Sequence, residues 1–370
     1  MRIVLDVRTI SDHFPGIGRY TYHLAAALRA CLGDNELVLL HNPAQENTRY
    51  DVAALAEAPG VRLAETAARP FGANEQLRLP GQVRGLAPGV SHYPYYILPY
   101  LAPRPQVVTI HDVIPLRFPQ YFGLRQRILY RLTTMLALAS AARVICVSTA
   151  TRDDVLARFR VRPDKVIVVP EGVAPQFRPC APDEVARVRA RYGLPERYVL
   201  YLGINKPHKN LPLLIDAYAR LENPPPLVLA GREDPRYPQA RQRAELLGLR
   251  ERVLFPETIA DEDLPGVYSG ALVFAFVSLY EGFGLPPLEA MACGVPVVCS
   301  TTPALQEVAG EAAVSVDPGD RDAVAGALER VLADDALRTD LRARGLARAA
   351  EFTWDRAAVD TMMVYDQAKG

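Results

Sequence analysis

Three groups of residues in this chain have the types and spacing to do chemistry. The first is Glu281-Gly-Phe-Gly-Leu-Pro-Pro-Leu-Glu289, set between the apolar runs Ala271–Val277 and Val295–Cys299. Pro286 and Pro287 suit the first turn of a helix, where a missing N–H costs nothing, and Gly294 suits its end. The turn Gly282, Phe283, Gly284, Leu285 therefore offers backbone N–H groups at a helix N-terminus, a seat for phosphate. Glu281 and Glu289 flank that seat. Carboxylates repel phosphate, so they are aimed at neutral hydroxyls, as a sugar nucleotide presents them. The second group is Val107-Val-Thr-Ile-His-Asp, which puts His111 directly after a strand, at the edge where open parallel sheets bind ligands. The third is Gly203-Ile-Asn-Lys-Pro-His-Lys-Asn, in which Lys209 stands just ahead of a helical pattern over Leu211–Leu221. A cation there is a counter-charge for a diphosphate.

Two weaker constellations accompany these. Phe14-Pro-Gly-Ile-Gly-Arg-Tyr follows the first strand, with a helix expected from about Tyr20. Gly16 and Gly18 would let a ligand approach the backbone, and Arg19 could assist. A tight strand–helix turn needing small residues explains them equally well. Thr21 stands where a third glycine would complete a dinucleotide fingerprint, which weighs against that reading. Ser91-His-Tyr-Pro-Tyr-Tyr combines an imidazole with aromatic faces, making His92, Tyr95 and Tyr96 candidates for an acceptor side; an aromatic core under a loop is the competing reading.

The elements that must position these residues alternate. Strands are expected at Ile3–Val7, Leu37–Leu40, Val107–Ile110, Val144–Val147, Tyr198–Leu202, Leu227–Ala230, Val253–Phe255, Val273–Phe276 and Val295–Cys299, separated by helical patterns. Such alternation predicts βα units, parallel sheets and an α/β class. A length of 370 residues suggests two domains, and the Pro-rich stretch Pro170–Pro195 reads as their connection. The expected division is 1–180 and 181–354, with a closing helix at 355–370. Lys plus Arg and Asp plus Glu balance at 42 each, which excludes a chain-wide basic footprint for nucleic acid. The excess is local: residues 1–180 carry 21 basic and 14 acidic side chains. That half could face an anionic lipid or acceptor. Five scattered cysteines form no CxxC pair and read as reduced, mostly buried thiols of a cytoplasmic protein. The N-terminus reads as a strand rather than a signal peptide, and the longest apolar run, Leu132–Ser148, is broken by Arg143.

With these residues in view, the chain resembles family 4 retaining glycosyltransferases of the GT-B fold over nearly its whole length, most strongly from Gly203 to Gly319 and around His111. The resemblance implies two Rossmann-like domains with parallel sheets facing a central cleft, the second binding a nucleotide sugar and the first the acceptor. It implies that Glu281 approaches the transferred sugar and Glu289 binds the ribose. It makes Lys209-Asn210 the diphosphate loop, and sets Gly16, Gly18 and Arg19 toward the donor diphosphate. Many members carry Arg directly after Gly203; Ile204 stands here, so Lys206 or Arg19 would supply that contact. His111-Asp112 with Pro115 matches the His-Asp-x-x-Pro pattern of mannosyltransferase-like members, which assigns His111 to the transferred sugar. The base loop aligns with Phe255-Pro-Glu-Thr-Ile, so Thr258 and Ile259 would meet the base through their backbone. Glu257 replaces the usual glycine and favours a guanine edge. The implied reaction moves a hexose, mannose from GDP-mannose first, to a hydroxyl acceptor with retention, in cell-surface glycan synthesis. Neither metal nor cofactor is expected, because Asp261-Glu-Asp263 and Asp320-Arg-Asp322 each open a helical pattern and read as caps. A UDP-sugar-dependent transferase, a sugar-nucleotide epimerase, a Rossmann oxidoreductase and a non-catalytic sugar binder are the alternatives. The expected location is cytoplasmic, with peripheral contact at the inner membrane face.

Overall fold

The computed structural model describes every residue except Glu257 and Gly370. The chain divides into two units: Met1–Gly172 together with the segment from Thr353 onward, and Val173–Phe352. The boundary thus falls inside the Pro-rich stretch, ahead of the division expected at 180/181. Residues 173–182 are built onto the second unit: Val173 N–H donates to Phe352 O (2.9 Å), Phe177 packs edge-on to Tyr268, and Cys180 N–H donates to the Ser269 hydroxyl (3.1 Å).

In the first unit the strands are β1 (Arg2–Asp6), β2 (Glu36–His41), β3 (Val61–Glu65), β4 (Val90–Tyr93), β5 (Gln106–Ile110), β6 (Arg143–Cys146) and β7 (Val166–Val168). They pair in parallel in the order β3-β2-β1-β4-β5-β6-β7. β5 is buried along its whole length, as expected of a parallel strand covered on both faces. In the second unit β8 (Val199–Leu202), β9 (Leu227–Ala230), β10 (Val253–Leu254), β11 (Val273–Phe276), β12 (Val297–Ser300) and β13 (Val314–Val316) form a parallel sheet ordered β10-β9-β8-β11-β12-β13.

Both orders reverse once. In the first unit the chain winds outward from β1 to β3, then restarts at β4 on the other side of β1. In the second it winds from β8 to β10 and restarts at β11 beside β8. At such reversals the connections leave in opposite directions and open a crevice at the strands' carboxyl ends. Four of the candidate segments follow strands at or beside these points: the helix after β1, His111 after β5, the Gly203 loop after β8, and the Glu281 turn after β11.

The closing helix Trp354–Lys369 packs on the first unit, against helix Pro15–Leu28 and strands β4, β5 and β6. Trp354 stacks on His23 and meets Tyr20 edge-on. Gly172 permits this approach, since a Cβ there would lie 2.3 Å from Trp354 N.

Candidate active site

In the second unit, β11 delivers the chain into the turn 277–284, and helix Leu285–Ala292 follows. Gly284 has φ 142°, a conformation that demands glycine, and a Cβ on it would also press on Leu305 Cδ2 at 2.8 Å. Pro286 and Pro287 occupy the first helical turn as expected, and they bring no N–H. The donors of this helix start are therefore the N–H groups of Phe283, Gly284 and Leu285, for which no acceptor lies among the described residues. Phe283 turns its ring inward against Phe352, so only its backbone is available to a ligand. Gly282 is half-buried in the same turn.

Glu281 is paired. Both of its carboxylate oxygens lie 2.8 Å from Lys209 Nζ, with the two side chains 11% and 17% exposed. Lys209 Nζ also sits over the Phe276 ring, 5.1 Å from its centroid. The loop that carries Lys209 is latched to the glutamate turn. Leu279 N–H donates to His208 O (2.8 Å), and Asn210, held at φ 62°, donates from its side chain to Val277 O (3.2 Å) and Pro318 O (2.8 Å). His208 is buried, and burial followed by the Lys209 charge lowers its pKa to about 4.

Lys206 does not join this pair. Its ammonium lies 2.6 Å from Asp234 and over the Tyr237 ring, an ion pair of its own at the other end of the loop. Arg236 first, and Lys206 after it, hold the Asp234 carboxyl far below the usual range. Beside that cluster, at the carboxyl ends of β8, β9 and β10, lies a cavity of about 260 Å³ lined by Tyr201, Gly203, Gly231, Arg241, Phe255 and Thr258, among others. Arg241 covers Phe255, 4.4 Å from the ring centroid, and binds Glu233 at 2.7 Å. Gly203 and Thr258 thus reach this cavity, whereas Ile259 is buried away from its lining. The substitution at Glu257 lies outside the described residues. Glu289 is only 1% exposed and accepts from the Tyr268 hydroxyl at 2.9 Å. Tyr268 thus fixes the orientation of the Glu289 carboxylate within the helix that follows the glutamate turn.

In the first unit, His111 directly follows β5 and uses both ring nitrogens. Nε2 lies 3.1 Å from Pro94 O, an atom that only accepts, so Nε2 carries the hydrogen; Nδ1 lies 3.3 Å from Glu171. Tyr20 meets the imidazole edge-on. Asp112 separates from its neighbour and accepts from Ile114 N–H (2.9 Å). Glu171 escaped the sequence reading; its signal is a lone carboxylate in Val168-Val-Pro-Glu-Gly, just past the end of β7.

Three expectations for this unit need correction. Helix Pro15–Leu28 begins five residues before Tyr20, so Gly16, Gly18 and Arg19 lie on the helix rather than in a loop. Gly18 serves packing: a Cβ would stand 2.9 Å from Thr9 O, while Gly16 has open space. His92 lies inside β4, wholly buried between the hydroxyls of Thr109 and Tyr365 (2.8 Å each), and cannot line an acceptor site. Burial lowers its pKa to about 3. Tyr95 and Tyr96 remain half-buried, in an aromatic cluster with Phe14 and Phe71.

The two Asp-x-Asp strings differ from each other. Asp320 caps helix Arg321–Ala333 by accepting from Asp322 N–H and Ala323 N–H. Asp263 stands at the N-cap of helix Leu264–Ser269 but makes no capping bond with its side chain, which is fully buried and bound by Arg187, Arg191 and Tyr192. Cys146, Cys293 and Cys299 are buried as expected, whereas Cys31 and Cys180 are half-buried. Among the described residues no helix is long and apolar enough to cross a membrane.

Comparison with known proteins bears on both units. Residues 15–177 match the family model described as Glycosyltransferase Family 4, and residues 186–348 match Glycosyl transferases group 1. The chain is 32% identical to the O-antigen chain mannosyltransferase B of Escherichia coli, covering 99% of both chains. It is 30% identical to a D-inositol 3-phosphate glycosyltransferase of Salinispora arenicola, over 98% of this chain and 91% of that one. Among solved structures, Anabaena HepE in complex with UDP and glucose superposes with a TM-score of 0.74 at 21% identity, covering 98% of each chain. Sucrose-phosphate synthase from Thermosynechococcus elongatus superposes with a TM-score of 0.77 at 24% identity, over 99% of this chain and 98% of that one.

Proposed function

Because this chain belongs to the family 4 glycosyltransferases of the GT-B fold, and is a glycosyltransferase of glycan synthesis, we propose that its donor is GDP-mannose and that transfer to a hydroxyl retains configuration. The observation that carries the site assignment is the Lys209–Glu281 pair set beside an open helix start. An ammonium and the unpaired N–H groups of Phe283–Leu285 suit a diphosphate; a carboxylate beside them suits sugar hydroxyls. When the donor binds, its diphosphate replaces Glu281 as the anion facing Lys209. Glu281 is then released to accept from hydroxyls of the transferred sugar. As the glycosidic bond breaks, charge accumulates on the departing phosphate, where Lys209 and the helix start oppose it without a resident metal. The donor phosphate oxygen takes the acceptor proton on the same face. His111, oriented by Glu171 and Pro94, is assigned to the sugar's hydroxyls. The base is assigned to the cavity roofed by Arg241 and Phe255. The mannose assignment is supported by what the full-length relative is named for; a UDP-sugar is the alternative, because a fold neighbour was solved with UDP. Peripheral contact with an anionic membrane through the basic first unit completes the reading.

Saturation-transfer NMR against GDP-mannose, UDP-glucose and UDP-N-acetylglucosamine, followed by product detection with and without EDTA, tests these assignments. GDP-mannose should bind and turn over in the presence of chelator. Turnover of a UDP-sugar alone would overturn the donor assignment. Loss in EDTA restored by a divalent ion would overturn the metal-free one.

A further inference from the structure

Helix Leu124–Ser140 is amphipathic the wrong way round for a helix of a folded core. Tyr130, Thr134, Ala137 and Leu138 face inward, while Leu124, Ile128, Leu129, Leu132, Met135 and Leu136 are 45–66% exposed. At helical spacing these six fall within about 140° of the circumference, one continuous outward apolar stripe. Single exposed leucines are ordinary; a contiguous stripe marks an interaction surface. Arg125 lies within the stripe and Arg131 on its border. From Val113 to Arg152 the chain contains no aspartate or glutamate and has six arginines, of which Arg117 and Arg152 pair with Asp154 and Asp153 just beyond, while Arg125 and Arg131 belong to the helix itself.

We propose that this outward face docks on an anionic phospholipid surface, the apolar side chains entering the headgroup boundary and the arginines pairing with phosphates. The charge pattern selects the occupant. A second copy meeting the same face would set arginine against arginine with no carboxylate to answer it, which an isologous contact cannot repair. A bilayer supplies both an apolar boundary and anions. This inference rests on the membrane contact proposed above and names the surface that makes it.

The full chain is floated with vesicles of phosphatidylcholine alone and of phosphatidylcholine with about a quarter phosphatidylglycerol. It should rise with the anionic vesicles, more weakly in high salt. Both the triple variant Ile128→Ser, Leu132→Ser, Met135→Ser and the double variant Arg125→Glu, Arg131→Glu should reduce that binding by about tenfold or more. Size-exclusion chromatography and thermal unfolding accompany each variant to show that it remains folded. Absence of any vesicle binding by the unaltered chain overturns the membrane contact as a whole. Binding left unchanged by both variants overturns only the assignment to this helix. A dimer that the triple variant disperses would give the face to a second copy instead.

Discussion

At the scale of residues the second unit turns on a competition for one ammonium. Lys209 and Glu281 are mostly buried and doubly bonded to each other, so neither is idle in the absence of donor. Removing Lys209 with Lys209→Ala should lower kcat/KM by about 3 kcal/mol or more, the loss typical of a leaving-group stabiliser. Lys206→Ala should change it by less than about threefold, because that ammonium already pairs with Asp234, which Arg236 continues to neutralise when Lys206 is lost. Steady-state kinetics on the two variants decide this; a larger defect at Lys206 would move the phosphate site to the other end of the loop. Glu281→Gln should separate binding from turnover. It removes both the competing anion and its repulsion toward phosphate, so calorimetry should find nucleoside diphosphate bound as tightly or more tightly while kcat falls at least tenfold. Weaker diphosphate binding with full turnover would reverse the roles given to the pair.

At the scale of elements, two glycines of one helix make opposite predictions. Gly16 and Gly18 both lie early in helix Pro15–Leu28, but only Gly18 abuts a backbone atom, Thr9 O. Gly18→Ala should destabilise the first unit by about 1–3 kcal/mol, since a backbone oxygen must move. Gly16→Ala should be neutral or stabilising by about 0.5 kcal/mol, because alanine loses less entropy in a helix. If Gly16→Ala nevertheless abolished activity without altering the denaturation midpoint, close ligand approach would be the reason for that glycine. The same element shows what was legible in the sequence. Strands Leu227–Ala230 and Val273–Phe276 stand residue for residue where continuous apolar runs place them. Strands β3, β4, β7 and β13 were not legible: they are short or carry polar residues inside, as in Val90-Ser-His-Tyr. His92 can sit in a buried strand because Thr109 satisfies one ring nitrogen and Tyr365, 273 residues away, the other, and no local pattern records that distant partner. Lys209 and Glu281 were each readable from their loops, but their pairing across 72 residues comes from β8 and β11 being neighbours in the sheet. Glu171 was unreadable for a related reason: its partner His111 lies two strands away along the sheet.

At the scale of the whole molecule, each unit encloses a histidine that must stay neutral, and this fixes the direction in which acid acts. His92 in the first unit has its pKa lowered to about 3, and His208 in the second to about 4, from an ordinary value of 6.5. Burial is the leading cause for both. In each case the folded value lies below the unfolded one, so the unfolded chain takes up protons first. The stabilisation is complete above about pH 6.5 and is lost as pH falls toward the folded values. Between pH 7 and pH 5 each histidine should cost its unit about 2 kcal/mol. Glu75, buried beside Arg8 with a raised pKa, works in the opposite sense and offsets part of the loss in the first unit. Denaturant titrations at pH 7 and pH 5 should therefore show both units weakened, the second more cleanly. His208→Gln, which cannot titrate, should remove most of the pH dependence of the second unit while leaving that of the first. A second unit equally stable at both pH values in the unaltered chain would mean that His208 is not held neutral, and the latch between its loop and the glutamate turn would have to be looser than the 2.8 Å hydrogen bond from Leu279 implies.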